Sequence, residues 1–308
     1  MIEGSLRGIF PIVYTPFDAS GAIVEADVRR VVRYLIEAGA HGLAACGGAS
    51  EAAKMTLDER RSLAEVVMQA ADGDVPVIVG VTAPTTEEAQ QLASHAAAIG
   101  ARAVFGLTPS PQDGQPPPAD GSPPALPCEH LAGHYGALAE AAGGIPIMVQ
   151  EVAQPIAPEH IVGLRQRWPL VRYVKEEAPD AGHRISGIHH QAAAANVTLD
   201  VLSGGNNLLD DLGRGAVGAI PGSMGVSDLA QTFDCWQQGD KAGARAAFYH
   251  FLPLAHWRRP FPLLGAKEVL RRLGVISGAY LRPPADQQMD RQDHGELAEL
   301  MAWMGPPY

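Results

Sequence analysis

Cysteine is scarce: Cys46, Cys128 and Cys235 are the three thiols in 308 residues. They lie far apart, cannot all pair with one another and match no zinc-ligand spacing, so neither a disulfide framework nor a metal cage is expected. Basic charge is also scarce. Lysine and arginine total 23 against 34 acidic residues, a formal net charge of −11. The pairs Arg29-Arg30, Arg60-Arg61 and Arg271-Arg272 stand isolated, so nucleic acid is not an expected partner. No apolar run reaches the roughly 18 residues that a membrane span requires. The opening MIEGSLRGIF has no basic region followed by an apolar core and a cleavage site. A soluble, cytoplasmic protein without metal or cofactor is the expectation. A G-x-G-x-x-G fingerprint is absent after the first apolar run, which weighs against a dinucleotide fold.

What the chain has is a regular beat. Short apolar runs alternate with amphipathic stretches from residue 8 onward: GIFPIVYTPF, then VEADVRRVVRYLIEAG, whose Val28, Val31, Val32, Leu35 and Ile36 share one helical face. GLAAC, VPVIVGV, AVFGLTP, IPIMVQE, VRYVKEEA, VTLDVLSGG and GAVGAIPG read as further strands, each followed by a helical pattern. Thr56 with Glu59 three residues on has the form of a capping box, and Thr85 or Thr86 opens the next helix. Eight β-then-α units in about 230 residues predict an α/β fold, a (β/α)8 TIM barrel, rather than an open doubly wound sheet. The barrel core is expected over 1–224. The last barrel helix and a C-terminal helical extension follow over 225–308. Residues 110–127, rich in Pro, Gly and Asp, form a loop after the fourth strand, either a lid over the barrel mouth or a surface insertion.

In such a barrel the chemistry gathers at the C-terminal ends of the strands. Among those ends, VRYVKEEA alone delivers a lysine, Lys175. Alternation puts Tyr173, Lys175 and Glu177 on one face and Val174 with Glu176 on the other. An amine in an apolar barrel mouth is disfavoured as an ammonium, and its lone pair can condense with a ketone or aldehyde to a Schiff base. The alternative is an ion pair with Glu176 or Glu177 at a strand end. After the second strand, the glycines of Cys46-Gly47-Gly48-Ala49-Ser50-Glu51 allow close backbone approach and an anion-binding nest, or simply supply a tight turn. The histidines His41, His95, His130, His134, His160, His189 and His190 fall mostly on helices, where solvated or capping roles are expected, and none has a metal-ligand spacing.

These residues together resemble a known family. Thr15-Pro16-Phe17 after strand one, the Gly-x-x-x-Glu turn, IPI on strand five, Val-Lys-Glu on strand six, Ser-Gly-Gly on strand seven and G-A-x-G-A-I into strand eight are similar to the dihydrodipicolinate synthase and N-acetylneuraminate lyase family of class I aldolases. The resemblance runs from residue 7 to about 230. It implies that Lys175 forms an imine with a pyruvate-like 2-oxo acid and that the turn carrying Gly48, Ala49 and Ser50 holds the substrate carboxylate. Gly204 and Ile220, at the ends of strands seven and eight, complete the expected substrate-binding set. It also implies a homo-oligomer, a tetramer or a dimer.

The departures are specific. The family's turn carries two hydroxyl residues where Gly48 and Ala49 stand here, leaving Ser50 as the nearest hydroxyl. Strand five of the family ends Tyr-Asn-x-Pro, against Gln150-Glu151-Val152-Ala153, so the proton-shuttling tyrosine is missing. Ser110 and Pro111 stand where the family shows a tyrosine pair. Dihydrodipicolinate synthase activity itself is therefore not expected. The expected function is a Schiff-base lyase, an aldolase or dehydratase, acting on a small-molecule 2-oxo acid or 2-oxo-3-deoxy sugar acid. Its alternative is a non-catalytic oxo-acid or sugar-acid binding protein on the same fold. Glu177 is the candidate proton carrier if strand geometry persists past Lys175; otherwise it orients Lys175 as a salt bridge or turns outward before Pro179. A water held by Gln150 is the next candidate.

Overall fold

The computed structural model describes residues 5–109, 128–152, 156–306 and 308. Eight parallel strands, β1 (Gly8–Ile9), β2 (Leu43–Ala45), β3 (Val77–Gly80), β4 (Ala103–Gly106), β5 (Ile147–Glu151), β6 (Val171–Glu176), β7 (Asp200–Ser203) and β8 (Gly218–Ala219), alternate with helices. These are α1 (Glu25–Glu37), α2 (Leu57–Ala71), α3 (Thr86–Ala98), α4 (Cys128–Ala141), α5 (Pro158–Arg167), α6 (Ala181–Ala194), α7 (Leu208–Gly213) and α8 (Val226–Gln237). The strand order is β1-β8-β7-β6-β5-β4-β3-β2. Ile12 closes the remaining seam by bridging Ala44 on one side and Gly222 on the other, with Val13 N donating to Ala44 O at 2.9 Å. The result is a (β/α)8 barrel. A C-terminal helical part follows, made of α9 (Lys241–Trp257), α10 (Leu264–Arg272) and α11 (Arg291–Met304).

Local sequence accounts for the element ends. Thr56 accepts from Glu59 N at 3.2 Å while the Glu59 carboxylate accepts from Thr56 N at 2.9 Å, the reciprocal box that starts α2. Thr85 rather than Thr86 caps α3, accepting from Glu88 N. The first apolar run makes a shorter ladder than its ten residues suggest, because Pro11 has no N–H to donate and only Ile12 resumes pairing.

Side-chain alternation divides the apolar residues into two layers. Phe10, Ile12, Ile78, Phe105, Met148, Tyr173, Leu202 and Ile220 fill the barrel interior. Val79, Val104, Val149, Val174 and Val201 instead face the helices. Tyr173 therefore points inward, its hydroxyl accepting from Leu6 N at the barrel floor, and Val174 points outward. That parity decides where Lys175 and Glu176 go. Among the described residues no helix is long and apolar enough to cross a membrane, and no cluster of three His, Cys, Asp or Glu could hold a metal ion. The stretch 110–127, read as a lid or insertion, lies outside the described residues.

Candidate active site

Following the parity of Tyr173, Lys175 enters the barrel mouth with 1% of its surface exposed. Its ammonium lies over the Phe105 ring at 5.7 Å and 2.8 Å from Glu177 Oε2. β6 ends at Glu176, yet Glu177 N still donates to Glu151 O at 3.1 Å, so the extended path continues one residue further and Glu177 shares the face of Lys175. Gln150 Nε2 donates to the same Glu177 oxygen at 3.1 Å. Amine, carboxylate and amide thus form one cluster, and the ion pair weighed for Lys175 involves Glu177, not Glu176.

The cluster lies on the wall of a cavity of about 480 Å³, within the range of small-molecule sites. Gly48, Ala49, Gly204 and Ile220 also line it. Ser50 does not: its hydroxyl donates to Val13 O at 2.7 Å and its carbonyl accepts from Thr15 Oγ1 at 2.8 Å. Ser50 therefore stitches the turn to the end of strand one, its hydroxyl already committed to Val13 O. A Cβ added at Gly48 would meet nothing within 4 Å, so this turn exposes bare backbone to the cavity. Gly204 is different. A Cβ there would come within 3.0 Å of Glu177 Cγ, so its lack of a side chain gives the carboxylate its place.

Glu51, at the end of this turn, ties it to the C-terminal helices. It adopts a left-handed φ of 58°, and its buried carboxylate accepts from Lys267 at 2.6 Å, Lys54 at 3.1 Å and Arg282 N at 3.1 Å. Lys267, on α10, is fully buried, and desolvation lowers its pKa against the opposing pull of Glu51. The C-terminal part is thereby fastened to the turn at the cavity.

On the outer face, Glu176 and Glu151 are register partners and both are fully buried. Arg184 of α6 donates to Glu176 at 3.0 Å and to Glu151 at 2.7 Å, one guanidinium for two carboxyls. Burial, and then the Glu151 carboxyl beside it, push Glu176 up to about 8.

Four polar cavity residues escaped the sequence reading: Tyr14, Thr82, Asn206 and Arg258. Tyr14 directly precedes Thr-Pro-Phe, and that adjacency is the signal that could have marked it. Arg258 comes from the end of α9, where strand-end reasoning does not look. Cys46 also lines the cavity, but burial pushes its thiol up to about 11, so it is no nucleophile at neutral pH.

The sequence profile of the dihydrodipicolinate synthetase family matches residues 5–302. The chain belongs to the dihydrodipicolinate synthetase family. Similar chains in this family include a 4-hydroxy-tetrahydrodipicolinate synthase of Methanopyrus kandleri, 29% identical over 95% of this chain and 94% of its own. An L-2-keto-3-deoxyarabonate dehydratase of Azospirillum brasilense is 28% identical over 96% and 93%. Among solved structures, a dihydrodipicolinate synthase superposes with a TM-score of 0.84 at 25% identity, covering 97% of this chain and 99% of that one. A prophage member of the family from E. coli K12 gives a TM-score of 0.86 at 21% identity over 98% and 99%, a likeness of fold. Family membership thus rests on nearly the whole chain, including the C-terminal helices.

Proposed function

We propose that this protein is a Schiff-base lyase in which Lys175 forms an imine with a 2-oxo acid or 2-oxo-3-deoxy sugar acid. The observation that carries the reading is the placement of Lys175 Nζ on the wall of the cavity, 2.8 Å from a carboxylate that can take its proton. The dehydratase relative supports a sugar-acid substrate, and the absence of the family's strand-five tyrosine argues against synthase chemistry.

In this mechanism Glu177 accepts a proton from the ammonium, and the freed amine adds to the C2 carbonyl. The carbinolamine loses water to give a protonated imine, which acts as an electron sink. Loss of a C3 proton gives an enamine; its electron pair then expels a C4 hydroxyl as water in a dehydration. In an aldol cleavage Glu177 takes the C4 hydroxyl proton as the C3–C4 bond breaks into the same sink, releasing an aldehyde; the enamine left behind takes that proton at C3, and water then hydrolyses the imine to free Lys175. Glu177 is the proposed proton carrier, and Gln150 holds it by donating to the oxygen that faces Lys175. The exposed backbone of Gly48 and Ala49 is the proposed seat of the substrate carboxylate, with Gly204 and Ile220 flanking the carbon chain.

Borohydride reduction with pyruvate tests the first step, since the chain has four lysines, Lys54, Lys175, Lys241 and Lys267. A stable mass increment at Lys175, lost in Lys175→Ala, is expected; labelling at another lysine would refute it. Glu177→Gln should trap pyruvate more slowly, because the acceptor of the ammonium proton is gone, yet to the same final extent, and should lose turnover of 2-oxo-3-deoxy sugar acids by ~10²–10⁴. Near-normal turnover in that variant would transfer the proton role to a water at Gln150. Trapping with no turnover of any sugar acid would favour an oxo-acid binding protein.

A further inference from the structure

The cavity has an arm that the imine chemistry does not use. Tyr14, Gly204, Asn206, Pro221, Gly222 and Arg258 line both the main cavity and a smaller cleft that adjoins it. Among the described residues three charged side chains line the space: Lys175, Glu177 and Arg258. Lys175 and Glu177 neutralise each other at 2.8 Å. Among the described residues Arg258 makes no ion pair; its hydrogen bond is to the Pro262 carbonyl, a long 3.4 Å. The remaining cationic side chain of the cavity is therefore Arg258, half-buried and without a carboxylate partner among the described residues. Its field reaches the Tyr14 hydroxyl, where it opposes the upward push of burial on that phenol.

We propose that Arg258 determines specificity by pairing with a second carboxylate at the far end of the substrate, so that dicarboxylic 2-oxo acids are preferred over monocarboxylic ones. The proposal rests on the 2-oxo acid reading above, which places the first carboxylate at the Gly48–Ala49 backbone. A guanidinium presents parallel donors that match a carboxylate in bidentate fashion. The Asn206 amide and the Tyr14 phenol, on the same arm, can each donate to the same group. A phosphate dianion would leave charge uncompensated, because the other cation of the cavity is already paired with Glu177. The need for such a cation is general in this molecule: with a net charge of −11, the surrounding field disfavours a dianion unless local positive charge offsets it.

The test compares 2-oxoadipate with 2-oxohexanoate, six-carbon 2-oxo acids that differ in the terminal carboxylate, by calorimetric titration of the full chain. Wild type should bind 2-oxoadipate at least ~10-fold more tightly, as expected for a charge-assisted pair. Arg258→Met should erase that preference while 2-oxohexanoate affinity stays within about 3-fold, and Arg258→Lys should restore part of it. Equal binding of the two acids by wild type, or a preference that survives in Arg258→Met, overturns the proposal. Calorimetry reads binding whether or not an imine forms. A failure of pyruvate trapping would therefore count against Lys175 chemistry and leave this comparison intact.

Discussion

Replacing Glu151 by glutamine should make the protein more stable in alkaline solution, although it removes a buried charge that accepts hydrogen bonds. Glu151 Oε1 accepts from Arg184 at 2.7 Å and from Ile156 N, whereas Oε2 is buried with no partner. A glutamine can keep the oxygen where those donors point and place its NH₂ where the unpartnered oxygen now sits. That group can donate to Glu176 in place of repelling it. The magnitude follows from Glu176, whose pKa rises from 4.5 to about 8 through burial first and Glu151 second. Because the folded value lies above the unfolded one, the folded state holds the extra proton, and stability falls as pH rises from about 4.5 to about 8. Burial persists in the variant, so only the Glu151 share of the rise is relieved, at about 1.4 kcal/mol for each pKa unit removed. Thermal unfolding followed from pH 5 to pH 8.5 should show a gap between the two proteins that opens with pH, by about 2 °C for each pKa unit relieved in a chain of 308 residues. Asp211, pushed up to about 6 by burial, titrates in both and cancels in the difference. A constant gap, or a variant less stable than wild type at pH 8.5, would refute the shared-proton account.

Glu51→Leu strands the buried Lys267 ammonium and should cost about 3–5 kcal/mol, with part recovered in the double variant Glu51→Leu/Lys267→Met. Denaturant unfolding of the single and double variants measures it; a single-variant loss under about 1 kcal/mol would show that the clamp contributes little. Gly204→Ala pushes a methyl to 3.0 Å from Glu177 Cγ and should lower kcat by ~10-fold or more through misplacement of the carboxylate. Its melting temperature should stay close to wild type, and an unchanged kcat would mean that Glu177 needs no fixed position.

The barrel was legible because each β/α unit carries its own local signal, a buried apolar run followed by an amphipathic stretch, sharpened at α2 and α3 by a side-chain cap. Thr56 with Glu59 illustrates this, since a capping box is written in four consecutive residues. Lys175 was legible for a related reason: strand alternation is strictly local, and Tyr173 fixes the parity two residues earlier. Glu176 was not. Its partner Glu151 lies one strand away, and the register that sets them side by side depends on how β5 and β6 dock, including a shift between Ile147 and Met148. Ser50 misled because its hydroxyl is consumed by Val13 O, a contact made only when the seam closes between the first two strands. Tyr14 and Arg258 stand at opposite ends of the chain and meet only through the closed barrel and its appended helices.

That last meeting changes what the C-terminal part is for. Helices added after strand eight could serve merely to cover the barrel, and their apolar faces, with Phe251, Leu254, Val269 and Leu270 buried, would suffice for that. Burying an ammonium is a costly way to cover anything, since an apolar side chain of similar size would fill the space without desolvating a charge. Lys267 is buried nonetheless, and it reaches Glu51, the residue that ends the Gly47–Ser50 turn. Arg258, from the end of the preceding helix, lines the cavity that this turn borders. One side chain sets the turn and the other faces the space beside it. The strand ends therefore hold the proposed reacting cluster of Lys175, Glu177 and Gln150, while the appended helices contribute Arg258 to the wall of the same cavity.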